Sequence, residues 1–132
     1  MIGLWGSYSS SFLIVVSVLT ILFAAPMLFY PLGWARALRW KLPEETNLVV
    51  YFGRCLGGVV TVLAVMGFIS ARTPETQPFY FMLMLTAVGV NILVHIWGAI
   101  LRIQPLTETI EIGVWLALFL AGLVFYPKDI SF

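Results

Sequence analysis

The stretch LVVYFGRCLGGVVTVLAVMGFI, residues 48–69, holds one charged side chain, Arg54, and otherwise reads as a continuous apolar run. Wound as an α-helix at 1.5 Å per residue it is about 33 Å long, against about 30 Å for the hydrocarbon core of a bilayer. That match predicts a transmembrane helix. At 100° per residue Gly53, Arg54, Gly57, Gly58 and Thr61 fall on one arc, and Gly53 and Gly57 form a GxxxG pair whose simplest use is close helix packing.

Working outward, three further runs of the same kind flank it. Residues 12–30 form the first, with Pro26 placed to kink it near its end. Residues 79–101 and 107–126 form the third and fourth, joined by short turns rich in proline: one over 71–78, the other holding Arg102, Gln104 and Pro105. Between the first and second runs, Trp34, Leu38 and Trp40 alternate with Arg36, Arg39 and Lys41, which suits a short helix over about 33–41 lying in the headgroup layer. Pro43, Glu44, Glu45, Thr46 and Asn47 then supply a stop and an N-cap for the next helix. The expectation is a single all-α domain over 1–132: an integral membrane protein built as an antiparallel up-down bundle of four transmembrane helices. The opening run is read as a retained helix, since it is longer than a signal-peptide core and no Lys or Arg precedes it.

Composition agrees. Hydrophobic residues make up 61% of the chain and charged ones 10%, and the mean hydropathy is +1.03, more apolar than a water-soluble core hides. With Lys+Arg 7 against Asp+Glu 6 there is no basic tract for nucleic acid. The single cysteine, Cys55, rules out an intramolecular disulfide. Arg36, Arg39, Lys41 and Arg102 belong to the two loops on one side, and only Arg72 and Lys128 to the other. The positive-inside bias therefore puts the first group in the cytoplasm, in a plasma (inner) membrane, with both termini on the non-cytoplasmic side. Trp5, Tyr8, Trp34, Trp40, Tyr80 and Tyr126 fall near predicted helix ends, as aromatic belts do.

Counting in from the cytoplasmic ends brings Arg54, His95 and Glu111 to one depth, from three different helices. On the third helix Ala87, Asn91, His95, Gly98 and Arg102 follow one stripe; on the fourth, Thr107, Glu108, Glu111, Trp115 and Gly122 follow another, with Gly113, Ala117 and Ala121 as a second, small-residue stripe. The first helix offers Ser10, Ser17 and Ala24 at heptad spacing. Two meanings compete for the polar layer of Arg54, Asn91, His95 and Glu111. In one, Arg54 and Glu111 form an intramembrane ion pair, with His95 and Asn91 as hydrogen-bonding glue. In the other, the layer lines a pocket for the head of a lipid-soluble ligand such as a quinone. A haem or pigment on His95 lacks a second axial partner. No metal site is expected, because one His, one Cys and scattered carboxylates do not give adjacent ligands.

The segment Tyr51-Phe52-Gly53-Arg54-Cys55-Leu56-Gly57-Gly58, the Pro-containing turn after it and a third helix holding His95 resemble the DoxX-like superfamily of small four-helix membrane proteins. The resemblance covers residues 47–126 in layout and carries over only Arg54, Gly57 and Gly58. It implies a four-helix bundle and, for some members, association with quinone-linked oxidoreductases. No nucleophile triad, phosphate loop or water-exposed pair of carboxylates points to an enzyme. Two functions remain in view: an accessory or scaffold subunit docked in the bilayer against other membrane subunits, and a quinone- or lipid-binding component of an oxidoreductase.

Overall fold

A computed structural model describes residues 8–127; Trp5, Lys128 and the rest of the tail lie outside the described residues. Five α-helices follow in order: α1 Tyr8–Phe29, α2 Pro31–Ala37, α3 Asn47–Arg72, α4 Gln77–Leu101 and α5 Leu106–Val124, with a 3₁₀ turn Pro74–Thr76 before α4. No strand occurs among the described residues. Four of the helical segments are long and apolar enough to cross a membrane.

The boundaries differ from the sequence reading where polar side chains find partners. α1 takes in residues 8–11, ahead of residue 12, and its serines are not loop residues. The Ser9 hydroxyl donates to the Phe125 carbonyl at 2.7 Å, and Ser10 accepts from Gln77 Nε2 at 2.9 Å. α2 starts at Pro31, whose fixed φ and missing N–H suit the first helical position. It ends two residues before Arg39, which takes the left-handed conformation at φ 66°. Arg102 closes α4 in the same way, at φ 54°. Each left-handed residue directs two N–H groups back onto the preceding turn: Arg39 and Trp40 onto Arg36 and Ala35, Arg102 and Ile103 onto Ala99 and Gly98. These are Schellman closures with arginine where glycine is usual.

The four long helices pack chiefly as two pairs. Along α1 and α3, Ser17 meets Gly67 and Leu28 meets Gly57, and Pro31 at the start of α2 continues the line against Gly53, so numbers rise on one side as they fall on the other. Along α4 and α5, Leu85 meets Gly122 and Phe119 meets Gly89, again antiparallel. The pairs join where α1 and α4 begin and α3 and α5 end. There Leu13, Ala71, Tyr80, Phe81, Met84 and Val88 form the buried cluster, and the Phe12 ring stacks on both Phe81 and Phe125. The Tyr80 hydroxyl donates to the Leu63 carbonyl at 2.7 Å, tying α4 to α3.

Candidate polar site at the start of the last helix

The site is built by two helix ends. The tight closure at Arg102 and the extended Pro105 that caps α5 turn the chain back on itself, so the last turns of α4 lie against the first turns of α5. His95 on α4 thereby faces Glu108, Glu111 and Trp115, which recur on one face of α5. The closure at Arg39 aims the chain after α2 at the same place. The Trp40 indole N–H donates to Glu108 Oε1 at 2.7 Å, and the Thr107 hydroxyl donates to the Leu38 carbonyl. A third segment thus covers a site formed by the α4–α5 pair.

Glu108 is the most enclosed member, with 7% of its surface exposed. His95 Nδ1 lies 2.8 Å from the Asn91 carbonyl oxygen. A carbonyl only accepts, so this nitrogen carries the hydrogen, a tautomer assigned from the bonding network. The other ring nitrogen, Nε2, is 3.0 Å from Glu108 Oε2 and 3.7 Å from Glu111 Oε2. Trp115 Nε1, which can only donate, stands 3.4 Å from that same nitrogen and so treats it as an acceptor. The closest contact therefore brings a lone-pair nitrogen against a carboxylate oxygen. Two such atoms at 3.0 Å require a positive centre between them, a proton or a cation.

The residues singled out from sequence are distributed as follows. His95 and Glu111 come together; Asn91 is adjacent, but its side-chain amide donates to the Ala87 carbonyl at 2.9 Å on its own helix, and it serves the site through its backbone oxygen. Arg54 is exposed, and the ion pairs seen among the described residues join His95 to Glu108 and Glu111, not Arg54 to Glu111. The reason is angular. Gly53 faces Pro31, the first residue of α2, and the next residue points about 100° away from it. Gly53 and Gly57 pack against the end of α1, and Gly58 is half-buried beside Leu28. Gly113 and Ala117 point outward, whereas Ala121 is half-buried. Gly122, from the other stripe, makes the close contact with α4.

Periodicity puts Glu108 on the stripe that faces α4, yet the polar layer expected from the sequence does not include it. The missed signal is Glu-x-x-Glu on one face, three residues apart. The premise that the carboxylates are scattered is corrected: donor atoms of His95, Glu108 and Glu111 all lie within 4.8 Å of one another.

Comparison with protein-family models, with curated proteins and with solved structures gave no match.

Proposed function

We propose that this chain is a bilayer-embedded accessory subunit: its four long helices cross the membrane up and down, and the outer face of α5 receives a helix of a larger membrane complex. The observation that carries the reading is the contrast between two small-residue faces. A methyl placed on Gly57 would lie 2.6 Å from the Leu28 backbone, so that face is already occupied within the chain. A methyl placed on Gly113 would meet nothing within 4 Å beyond its own helix's neighbouring backbone, and Ala117, one turn on, is also exposed. Small residues open to the surroundings let a neighbouring backbone approach, which is how transmembrane helices gain contact when lipid offers no hydrophobic drive. The loops with Arg36, Arg39, Lys41 and Arg102 lie on the cytoplasmic side of the plasma (inner) membrane, and both termini on the other.

The test is affinity purification from native membranes in mild detergent, wild type beside Gly113→Leu. A membrane protein present in fixed proportion with wild type and lost from the variant supports the reading. A wild-type chain that emerges alone, or only as a homo-oligomer by light scattering, rejects it.

A second reading rests on a different observation. Met82, Leu85, Thr86, Gly89, Phe119 and Tyr126 line an open apolar crevice of about 400 Å³ between α4 and α5. Its lining suits an acyl or isoprenoid chain, and Gly89 is six residues, about 9 Å, along α4 from His95. The DoxX-like resemblance points the same way, toward a quinone- or lipid-binding component. Extraction of the purified protein should then yield a quinone or lipid that Gly89→Phe removes.

A further inference from the structure

We propose that His95, Glu108 and Glu111 form a binding site for one divalent first-row metal ion, of the zinc or manganese class. The proposal stands apart from the docking face on α5 and from the crevice, since it uses neither.

Spacing is the first argument. Nitrogen and oxygen ligands sit about 2.0–2.2 Å from such an ion, so pairs of them are about 3.0 Å apart at right angles and about 3.4 Å apart in a tetrahedron. The His95 nitrogen is 3.0 Å and 3.7 Å from the two carboxylate oxygens, and the whole set fits within 4.8 Å. The two His95 distances are within a few tenths of an ångström of those spacings, and the widest pair in the set, at up to 4.8 Å, would have to close by as much as about 1.4 Å for the three to share one ion, leaving further positions for water or an incoming ligand.

The second argument is independent of spacing. A ligating histidine almost always gives its other N–H to a carbonyl or carboxylate, which fixes the ring and aims the free lone pair. His95 does this, holding Nδ1 on the Asn91 carbonyl and presenting Nε2 to the carboxylates. Glu108 is held likewise, its Oε1 taking the Trp40 N–H while Oε2 turns inward. Both ligands carry the supporting contacts of a metal site.

Charge is the third. Two carboxylates share a small, largely enclosed space, and among the described residues no Lys or Arg forms an ion pair with either. One dication balances both, where a single proton balances one. One imidazole with two carboxylates suits zinc, manganese or ferrous ions over soft copper(I).

The full chain in detergent, in a Cys55→Ser background that removes the exposed thiol, is stripped with chelator and given Zn²⁺ or Mn²⁺ alone. Bound metal is counted by elemental analysis after desalting, and affinity by calorimetry. The expected result is one ion per chain, with affinity down at least about tenfold in Glu111→Gln and a rise in melting temperature with the ion that the variant lacks. Glu111 makes the longer of the two His95 contacts, so its amide leaves the Trp40–Glu108–His95 chain in place. A folded wild-type chain that takes up neither ion overturns the proposal without any variant, and leaves a shared proton between His95 and Glu108. So does a folded Glu111→Gln chain that binds as tightly as wild type.

Discussion

Gly57→Ala should destabilise the fold while Gly58→Ala, one residue on, should not. The added methyl at Gly57 would stand 2.6 Å from the Leu28 nitrogen and 2.8 Å from its Cα. Ordinary contact begins near 3.4 Å, and these are backbone atoms that cannot rotate aside, so α1 must retreat by the difference of the two distances, 3.4 − 2.6, about 0.8 Å. A radial gap of about 0.5–1 Å forfeits a quarter to a half of each dispersion contact, and overpacking of this sort costs about 1–3 kcal/mol. Replacing glycine by alanine within a helix returns about 1 kcal/mol. With the clash at the upper end, the net loss is about 2 kcal/mol, roughly a thirtyfold drop in the folding constant. At Gly58 the nearest neighbour is the tip of Leu28, at 3.9 Å, so only the propensity gain remains. Adjacent substitutions should therefore differ by about 3 kcal/mol. Unfolding in mixed micelles of mild detergent and dodecyl sulfate, followed by circular dichroism, measures both. Equal midpoints for the two variants would mean that α1 and α3 do not touch along this face, and the pairing of helices described above would go with it.

Other substitutions probe the site and its supports. Arg54→Gln should change stability by no more than about 0.5 kcal/mol in the same titration, as for an exposed side chain, whereas a partner in a buried ion pair would cost about 3–5 kcal/mol. Trp40→Phe removes the donor to Glu108 and should cost about 1.5–3 kcal/mol, the range for a hydrogen bond to a charged group. Trp34→Phe should be neutral or stabilising, because the Trp34 indole N–H is buried and has no hydrogen-bond partner among the described residues. Arg102→Gly should stabilise by up to about 1 kcal/mol, since a left-handed residue at φ 54° costs a side-chain-bearing residue more than glycine.

How far the sequence could be read follows from the kind of signal each feature leaves. The four long helices were legible because spanning length and apolar content are properties of single segments. Which face of a helix turns inward was legible only where the polar residues were several. On α5 the stripe through Glu108, Glu111, Trp115 and Gly122 faces α4, and on α1 the heptad of Ser10, Ser17 and Ala24 is buried. On α3 the lone Arg54 misled the reading: a single charge in an apolar run invites a partner, yet the inward line was set by glycines that give no hydropathy contrast. The GxxxG pair itself pointed to the true contact, and Arg54 stands one step of helical rotation beyond it.

Counting along the helices puts His95 and Glu111 level with each other, and the structure has them 3.7 Å apart; the same counting passes over Glu108 and Trp40. Both belong to helix ends, where a polar or aromatic residue already has an ordinary explanation as a cap or a belt. What removes them from that role is the left-handed turn at Arg39, a conformation that an arginine does not announce. Without it α2 would continue past Ala37, Trp40 would follow the helix axis, and Glu108 would lose the donor on Oε1 that leaves Oε2 for His95. The composition of the site thus depends on a backbone choice two segments away. Arg39→Pro, which forbids the positive φ, tests that dependence: it should release Trp40 and weaken Glu108 together, seen as a Trp40-dependent change in indole fluorescence that Trp40→Phe abolishes. A change of the same size in the Trp40→Phe background would place the effect elsewhere and break the link argued between the two helix ends.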